Sequence, residues 1–399
     1  MKPSSIVPLF LALALVASAC GGDDAAVPSS AGDRGDSAAT VADPLTAEVI
    51  EHYAAGAHAS YEASLASATT MHETIDRFVA DPSEDTLAVA KEAWLTARDD
   101  YGPTEVFRFY GGPIDNDDRG VEGLVNAWPM DEAYIDYVVG DPDAGIVNDP
   151  ETYPTIDAEV LVSLNENGGE TNISTGWHAI EFLLWGQDLS ADGPGTRPAS
   201  DYVEAPNADR RATYLAVASD LLLEHLTGLV EAWEPERDNF RADFVAESNQ
   251  ATALENIFTG AGLLAADELA GERMAVAYEA RSQEDEHSCF SDNTTADIVG
   301  NANGVLMVVT GAYPGADGVG LADLVAATDT DLATRLVSDA EAGVAEAEAI
   351  PAPFDQHLTE TAPDDGEGRR QLLTTIETLE REGETIVSAA DAVGVDLEI

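Results

Sequence analysis

The segment that most constrains the fold is Gly176–Gly186, whose sequence is GWHAIEFLLWG. Apolar residues stand on every side of it at helical spacing, so a helix that carries it should be buried all round. Residues three apart project within about 60° of each other, which puts His178 and Glu181 on one face of that helix. Burying both groups is costly unless they find partners, and either a metal ion or a mutual hydrogen bond would serve.

Helical spacing of apolar residues continues along most of the chain, and no segment of the sequence shows sustained strand alternation. Helices are predicted over residues 46–79, 84–100, 211–233, 248–289, 294–310, 321–349 and 368–393. Gly102-Pro103 should break or kink the chain after the second of them, because proline lacks an amide proton and clashes with the preceding turn. The sequence therefore predicts an all-α protein built of helical bundles.

Two domains are expected from a length of 399 residues and a hydrophobic content of 45%. Residues 186–210 form the best boundary, because their Gly, Pro and Asp clusters lack an apolar period. We expect an N-terminal helical domain over residues 45–190, which includes the His178 segment, and a C-terminal helical bundle over residues 205–399. A cleft should lie between them.

The N-terminus has the pattern of a bacterial lipoprotein signal over residues 1–20. Lys2 precedes an apolar run that is too short to span a bilayer, and Ala17-Ser18-Ala19 leads into Cys20. The pattern predicts export to the cell envelope (periplasm or cell surface), acylation at Cys20 as the sole membrane contact, and a flexible tether over residues 21–44. Ala17 stands where leucine is more usual, so cleavage after Ala19 without lipidation stays open. An acylated Cys20 would leave Cys289 as a buried thiol without a disulfide.

The net charge is −58, from 76 acidic and 18 basic residues. Such a surface excludes ordinary nucleic-acid binding, which needs clustered Lys and Arg, and anionic lipid headgroups would repel it. Lys2 and Lys91 are the only lysines, a composition that suits salty surroundings, where screening relieves self-repulsion. Broad acidity attracts a nonspecific cloud of cations and does not by itself make a site.

Gly176, His178 and Glu181 resemble the GxHxxE signature of the imelysin family, also called the insulin-cleaving membrane protease family. Long blocks resemble its iron-regulated protein A branch, at residues 101–109, 113–115, 125–138 and 283–294. The resemblance implies an all-helical fold and a function tied to iron. It also makes the block at 283–294 a candidate second wall of the site, although Thr295 stands where related sequences often carry histidine.

The predicted metal ligands are His178, Glu181 and Glu105. Glu105 belongs to a stripe at helical intervals that also contains Trp94, Arg98, Tyr101 and Arg108. The stripe suits a buried ion pair of Glu105 with either arginine, and it equally suits a carboxylate offered to the cavity of His178.

Further cleft candidates are Arg108, Asp115, Trp128, Asp131, Glu132, Glu284, His287 and Asp292. Glu284 and His287 form an E-x-x-H pair, but di-iron carboxylate bundles need two such pairs and this chain has one. Composition alone would make that acidic run a solvated helix end. Asp115, Trp128, Asp131 and Glu132 match family blocks, and turn or capping roles would explain the acids equally well.

The leading hypothesis is an iron-binding or iron-uptake lipoprotein, with iron as the expected metal and zinc or manganese also suited to one imidazole and several oxygens. Its partners would be the ion and an iron permease or another envelope protein. An imelysin-type metallopeptidase is the first alternative, but HExxH and G-x-S-x-G are absent and Phe182 interrupts HxxEH. The second is a lipoprotein that binds a peptide, glycan or partner protein in the cleft.

Overall fold

Helices form nearly all of the regular structure in the computed structural model of this chain, which describes residues 44–397. The α-helices are α1 Pro44–Ala80, α2 Glu84–Tyr101, α3 Glu122–Val125, α4 Glu132–Ile135, α5 Gly145–Asn148, α6 Ala158–Leu164, α7 Gly176–Trp185, α8 Ala208–Trp233, α9 Phe240–Phe244, α10 Gln250–Leu263, α11 Val276–Ala280, α12 Thr294–Thr310, α13 Leu321–Ala326, α14 Thr330–Glu348 and α15 Glu367–Ala392. The all-α prediction is confirmed. The predicted signal at residues 1–20, Cys20 and almost all of the tether at 21–44 lie outside the described residues.

Shorter elements connect these helices. A π-helix, Leu264–Ala275, joins α10 to α11, and two short strands, β1 Ala312–Tyr313 and β2 Ala316–Asp317, pair antiparallel. The 3₁₀ helices are Gly102–Phe107, Ala199–Tyr202, Glu247–Asn249, Gln283–Asp285, Cys289–Ser291 and Phe354–His357.

Local sequence accounts for where α2 begins and ends. Ser83 caps the helix, because its Oγ accepts the Thr86 amide at 3.2 Å while Thr86 Oγ1 accepts the Ser83 amide at 3.0 Å. At the other end the chain tightens into the 3₁₀ helix Gly102–Phe107 at Pro103, which cannot donate to the helical ladder. Glu105 therefore lies on a 3₁₀ turn and not on a kinked continuation of α2.

Two predicted helices are divided. The stretch predicted over 248–289 ends as a helix at Ala280, after which Arg281 adopts a left-handed conformation with φ 53°. The stretch predicted over 321–349 breaks before Asp329, whose carboxylate accepts the Leu332 amide at 2.9 Å and starts α14. The second break is therefore explained by a capping residue, Asp329, that stands inside an otherwise apolar pattern.

The core surrounds α7, all of whose residues are buried, with α2 and α8 against it. Helices from both sides of the predicted boundary pack together: α1 contacts α8 and α10, and the 3₁₀ helix Gly102–Phe107 contacts α12. Residues Ala42–Ile399 cluster as one compact unit. The division into domains over 45–190 and 205–399, with a cleft, stays a prediction. Within residues 44–397 no helix has both the length and the apolar composition needed to cross a bilayer.

Candidate metal centre

Glycine at each end of α7 sets the position of the predicted site. Gly176 has φ 85°, and a Cβ there would lie 2.4 Å from the Val125 carbonyl oxygen, so the backbone passes where no side chain fits. Gly186 has φ 72° and donates its amide to Phe182, which closes the helix. The glycine of the GxHxxE pattern thus seats the helix against the segment that precedes Trp128.

His178 and Glu181 lie one turn apart on α7 and are 1% and 0% exposed. His178 Nδ1 and Glu181 Oε2 are 2.9 Å apart, a mutual hydrogen bond and thus one of the two arrangements that the sequence left open. The other oxygen of Glu181 accepts the Ser291 amide at 2.9 Å and the Ser291 hydroxyl at 2.7 Å. Glu181 is therefore held from two sides.

His287 faces His178 from a different part of the chain. The two Nε2 atoms are 3.2 Å apart, and the ring centroids are 4.6 Å apart. His287 Nδ1 lies 2.6 Å from Asp297 Oδ2 on α12. Arg98 on α2 binds Asp297 with two hydrogen bonds of 3.0 Å, and the Ser288 hydroxyl donates to it at 2.6 Å. Each imidazole thus has a carboxylate behind its Nδ1 and the other imidazole in front of its Nε2.

The proton positions follow from the charges around these groups. Burial alone would raise the pKa of Asp297, but Arg98 outweighs it and holds that pKa well below its usual range. Burial lowers the pKa of His287 to about 4. The pKa of His178 lies well below its usual value, because burial lowers it and the neighbouring His287 and Arg98 lower it further. Burial raises the pKa of Glu181 to about 8 despite the hydrogen bonds from Ser291. Both imidazoles are therefore neutral, beside one ionised and one protonated carboxyl group.

With these protonation states, one assignment of donors and acceptors pairs all four side chains. His287 Nδ1–H donates to ionised Asp297, which leaves His287 Nε2 as an acceptor. His178 Nε2–H donates to it, and the bare Nδ1 of His178 accepts the proton of the Glu181 carboxyl group. In this state the four side chains form one directed chain and need no metal.

The distance between the two Nε2 atoms is also compatible with a shared metal ion. Imidazole nitrogens bind zinc at about 2.0–2.1 Å, so two neighbouring ligands on one ion lie roughly 3.0–3.4 Å apart. The 3.2 Å between the two Nε2 atoms falls in that interval. Glu181 and Asp297 would then accept the Nδ1 protons, the usual way in which a carboxylate orients a metal-binding histidine.

A cavity of about 500 Å³ reaches His287 and Trp128. The Trp128 ring packs 4.8 Å from the His178 ring, centroid to centroid, and 6.0 Å from that of His287. Ionisable side chains that line the cavity are Arg108, Glu122, Glu166, Glu170, Glu268, Glu272, Arg273, Asp285 and His287. Acids outnumber bases in this set, so the electrostatic potential of the cavity favours cations over anions.

Glu105 is fully buried and contacts three residues that line this cavity, Arg108, Asn126 and Arg273. Its Oε2 accepts hydrogen bonds from Arg108 and Arg273, each at 2.6 Å, and from the Asn126 amide at 3.2 Å. Burial would raise its pKa, but the two arginines lower it far below the usual range. The ion pair with Arg108 matches one of the two expectations from the sequence, whereas Arg98 pairs with Asp297. In this structure Glu105 binds arginines, and its role as a metal ligand stays a prediction.

The remaining predicted residues fall into different places. Asp115 accepts the backbone amides of Phe109 at 2.5 Å and Gly112 at 2.7 Å, as a turn residue does. Asp131 caps α4 through the Ala133 amide at 3.0 Å, and Glu132 is the half-buried first residue of that helix. Glu284 is exposed, in contrast to buried His287.

Asp292 lies in a separate acidic cluster with Asp188 and Asp355. One carboxylate oxygen from each of the three lies within 4.8 Å of the others. Burial and Asp355 raise the pKa of Asp188 to about 6, and burial with both neighbouring acids raises that of Asp292 to about 7. Burial also raises the pKa of Asp355.

Sequence reasoning missed Asp297, Ser291, Asp188 and Asp355. Asp297 stands in the first turn of a predicted helix, where an acid is ordinary because it complements the helix dipole. Asp188 stands in the loop after α7 and Asp355 in the 3₁₀ helix Phe354–His357, so no sequence spacing connects them. Cys289 is buried, as expected, and has no disulfide partner among the described residues.

Comparison with known proteins places this geometry in context. Residues 57–386 match the imelysin family model. Iron-regulated protein A of Synechococcus elongatus is 24% identical over 273 residues, which span 66% of this chain and 64% of that relative's length. A solved structure of a candidate iron-regulated protein A precursor from Parabacteroides distasonis has a TM-score of 0.66 at 17% identity, covering 88% of this chain and 97% of that one. At that identity the structural likeness shows the fold alone.

Proposed function

This chain belongs to the imelysin family, and from that premise we propose that it is an exported iron-binding protein that holds its ion between His178 and His287. The observation that carries the proposal is the pair of buried Nε2 atoms, 3.2 Å apart, each on an imidazole whose Nδ1 meets a carboxylate. The resemblance inferred from the sequence blocks is confirmed at the level of the family.

The residues have distinct parts in this proposal. His178 and His287 supply the nitrogen ligands, while Glu181 and Asp297 fix the two rings by accepting the Nδ1 protons. Binding would release the proton that lies between the two Nε2 atoms to solvent, and the Glu181 proton would move to His178 Nδ1, which would then donate back to the carboxylate. The acidic cavity beside Trp128 supplies the route of entry and room for oxygen ligands such as water, which iron accepts along with imidazole.

The name of the Synechococcus relative supports iron as the metal. From the signal-like pattern over residues 1–20 we also propose that Cys20 is acylated and holds the chain at the cell envelope. An iron permease or another envelope protein would receive the ion there. Zinc and manganese are the competing metals for this ligand set.

The test is iron binding by purified wild type and by three variants, His178→Ala, His287→Ala and the control His58→Ala, whose ring pairs with Glu62 on α1. Equilibrium dialysis with Fe²⁺ under anaerobic conditions, followed by elemental analysis, measures affinity and stoichiometry. Each site variant should bind at least tenfold more weakly, which corresponds to about 1.4 kcal/mol, and the control should match wild type. Equal affinity in all four proteins would overturn the proposal.

A fourth variant, Glu181→Gln, separates an orienting role from direct ligation. Glutamine keeps an oxygen that accepts the His178 Nδ1 proton, so binding should fall less than in His178→Ala. A loss as complete as in His178→Ala would make Glu181 a ligand, as the sequence predicts. The same iron-loaded protein should leave insulin chains and casein intact, whereas cleavage abolished by His178→Ala would favour the peptidase.

A further inference from the structure

Three loops meet at the acidic cluster of Asp188, Asp292 and Asp355. Asp188 follows α7, Asp292 follows the 3₁₀ helix Cys289–Ser291, and Asp355 lies in the 3₁₀ helix Phe354–His357. Within residues 44–397 none of the three carboxylates has an arginine or lysine within ion-pairing distance. The Gln283 side-chain amide and the Ser190 backbone amide both donate to Asp188, which fixes its direction.

Two buried carboxylates, Asp355 in this cluster and Glu286, have oxygens without the hydrogen-bond partners that burial normally demands. Asp355 is 2% exposed, and neither of its carboxylate oxygens has a hydrogen-bond partner among the described residues, although the backbone amides of Asp355 and Gln356 act to lower its pKa. Glu286 is 1% exposed; its Oε1 accepts the Thr294 hydroxyl at 2.5 Å, but its Oε2 has no partner among the described residues.

Burying an unpaired carboxylate costs free energy, and burying several together costs more, unless a positive charge lies among them. The three aspartates offer only oxygen ligands, which hard cations prefer. The proposed iron site differs, because its ligands are two imidazole nitrogens. Calcium binds oxygens at about 2.3–2.6 Å, so two oxygens on one calcium ion can be separated by as much as roughly 5 Å. The spacing of these carboxylates, within 4.8 Å, is compatible with one shared ion.

We propose that Asp188, Asp292 and Asp355 bind a hard divalent cation of the calcium type. This site is separate from the histidine pair and does not depend on the proposed iron function. Its occupation would join the loop after α7 to those that contain Asp292 and Asp355. Asp292 directly follows Ser291, whose amide and hydroxyl hold Glu181, so a cation here would also fix the segment that supports the histidine site.

The experiment uses the full chain and radioactive calcium in equilibrium dialysis, at about 0.5 M sodium chloride so that loosely attracted cations are screened. The variants are Asp355→Asn, the exposed control Asp391→Asn, and His178→Ala. Wild type should retain saturable calcium with a stoichiometry near one. Asp355→Asn should bind at least tenfold more weakly, while the control and His178→Ala should equal wild type.

Thermal unfolding gives a second readout. Calcium should raise the unfolding midpoint of wild type and of Asp391→Asn but not that of Asp355→Asn, because a bound cation stabilises the folded state alone. If Asp355→Asn does not fold, Asp188→Asn takes its place. No saturable calcium in wild type, or equal loss in Asp355→Asn and Asp391→Asn, would overturn the proposal, and either result leaves the iron test unaffected.

Discussion

Gly176 shows how one residue defines the site before any polar group is considered. Its positive φ and its contact with the Val125 carbonyl oxygen leave no room for a Cβ, which would lie 2.4 Å from that oxygen. Gly140 also has a positive φ, 96°, but a Cβ there would meet nothing within 4 Å. A comparison of substitutions at Gly176 and Gly140 therefore separates the cost of backbone strain from the cost of a steric clash.

Gly176→Ala should lower the free energy of unfolding by more than about 2 kcal/mol, since the side chain adds a clash to the roughly 1–2 kcal/mol cost of a left-handed backbone. Gly140→Ala should show the strain alone. Urea unfolding of both variants against wild type measures the difference. Equal effects of the two substitutions would mean that the contact with Val125 relaxes at little cost.

The sequence located half of the histidine site and missed the other half for a physical reason. Helical period and uniform apolarity were enough to predict that His178 and Glu181 are buried together and share either a mutual hydrogen bond or a metal ion. The approach of His287 to His178 is a tertiary contact across 109 positions, and the pairing of Arg98 with Asp297 spans 199. Family resemblance flagged His287 as a candidate, but no local pattern shows which groups it meets.

At the scale of elements, apolar periodicity predicted whole helices well and their interruptions poorly. Residues 46–79 and 294–310 were predicted close to the observed α1 and α12. The breaks after Ala280 and before Asp329 depend on a left-handed residue and on a cap, which leave the apolar period almost unchanged.

Helix α15 departs from its amphipathic pattern at one position, where a carboxyl group lies on the buried face. Glu382 is 0% exposed and has no hydrogen-bond partner on either oxygen among the described residues. It packs against α14 at Gly343, where a Cβ would lie 2.6 Å from its Oε2. Burial and Asp339 raise its pKa well above the usual value.

Because the folded chain keeps this proton to higher pH than the unfolded chain, stability should fall as pH rises above the unfolded pKa. Glu382→Gln cannot ionise, so its stability relative to wild type should increase between about pH 5 and about pH 8, by roughly 1.4 kcal/mol for each unit of pH between the unfolded and the folded pKa. Urea unfolding across that range measures this. Glu384→Gln, at an exposed position two residues on, should show no such trend. A parallel response of the two variants would show that Glu382 ionises freely in the folded chain.

At the scale of the whole molecule, a net charge of −58 makes repulsion between surface carboxylates the main long-range electrostatic effect. The screening length falls from about 30 Å at 0.01 M salt to about 3 Å at 1 M, so sodium chloride should relieve that repulsion. Buried pairs such as Arg98–Asp297, with side chains 1% and 2% exposed, are screened far less and keep their contribution.

Stability should therefore rise with sodium chloride across this range, measured as the urea midpoint at fixed pH. Sucrose at matched osmolality is the control, because it acts by exclusion from the surface and not by screening. A midpoint that sucrose raises as much as salt does would remove charge repulsion as the cause.

The packing of Trp128 gives the chain a built-in optical probe. Its indole ring lies against both imidazoles and at the cavity mouth, with an Nε1 that has no partner among the described residues. Fluorescence from an indole is quenched by contact with a protonated imidazole or a paramagnetic ion. Emission from Trp128 should thus respond to what His178 and His287 hold, and Trp128→Phe identifies its share of the signal.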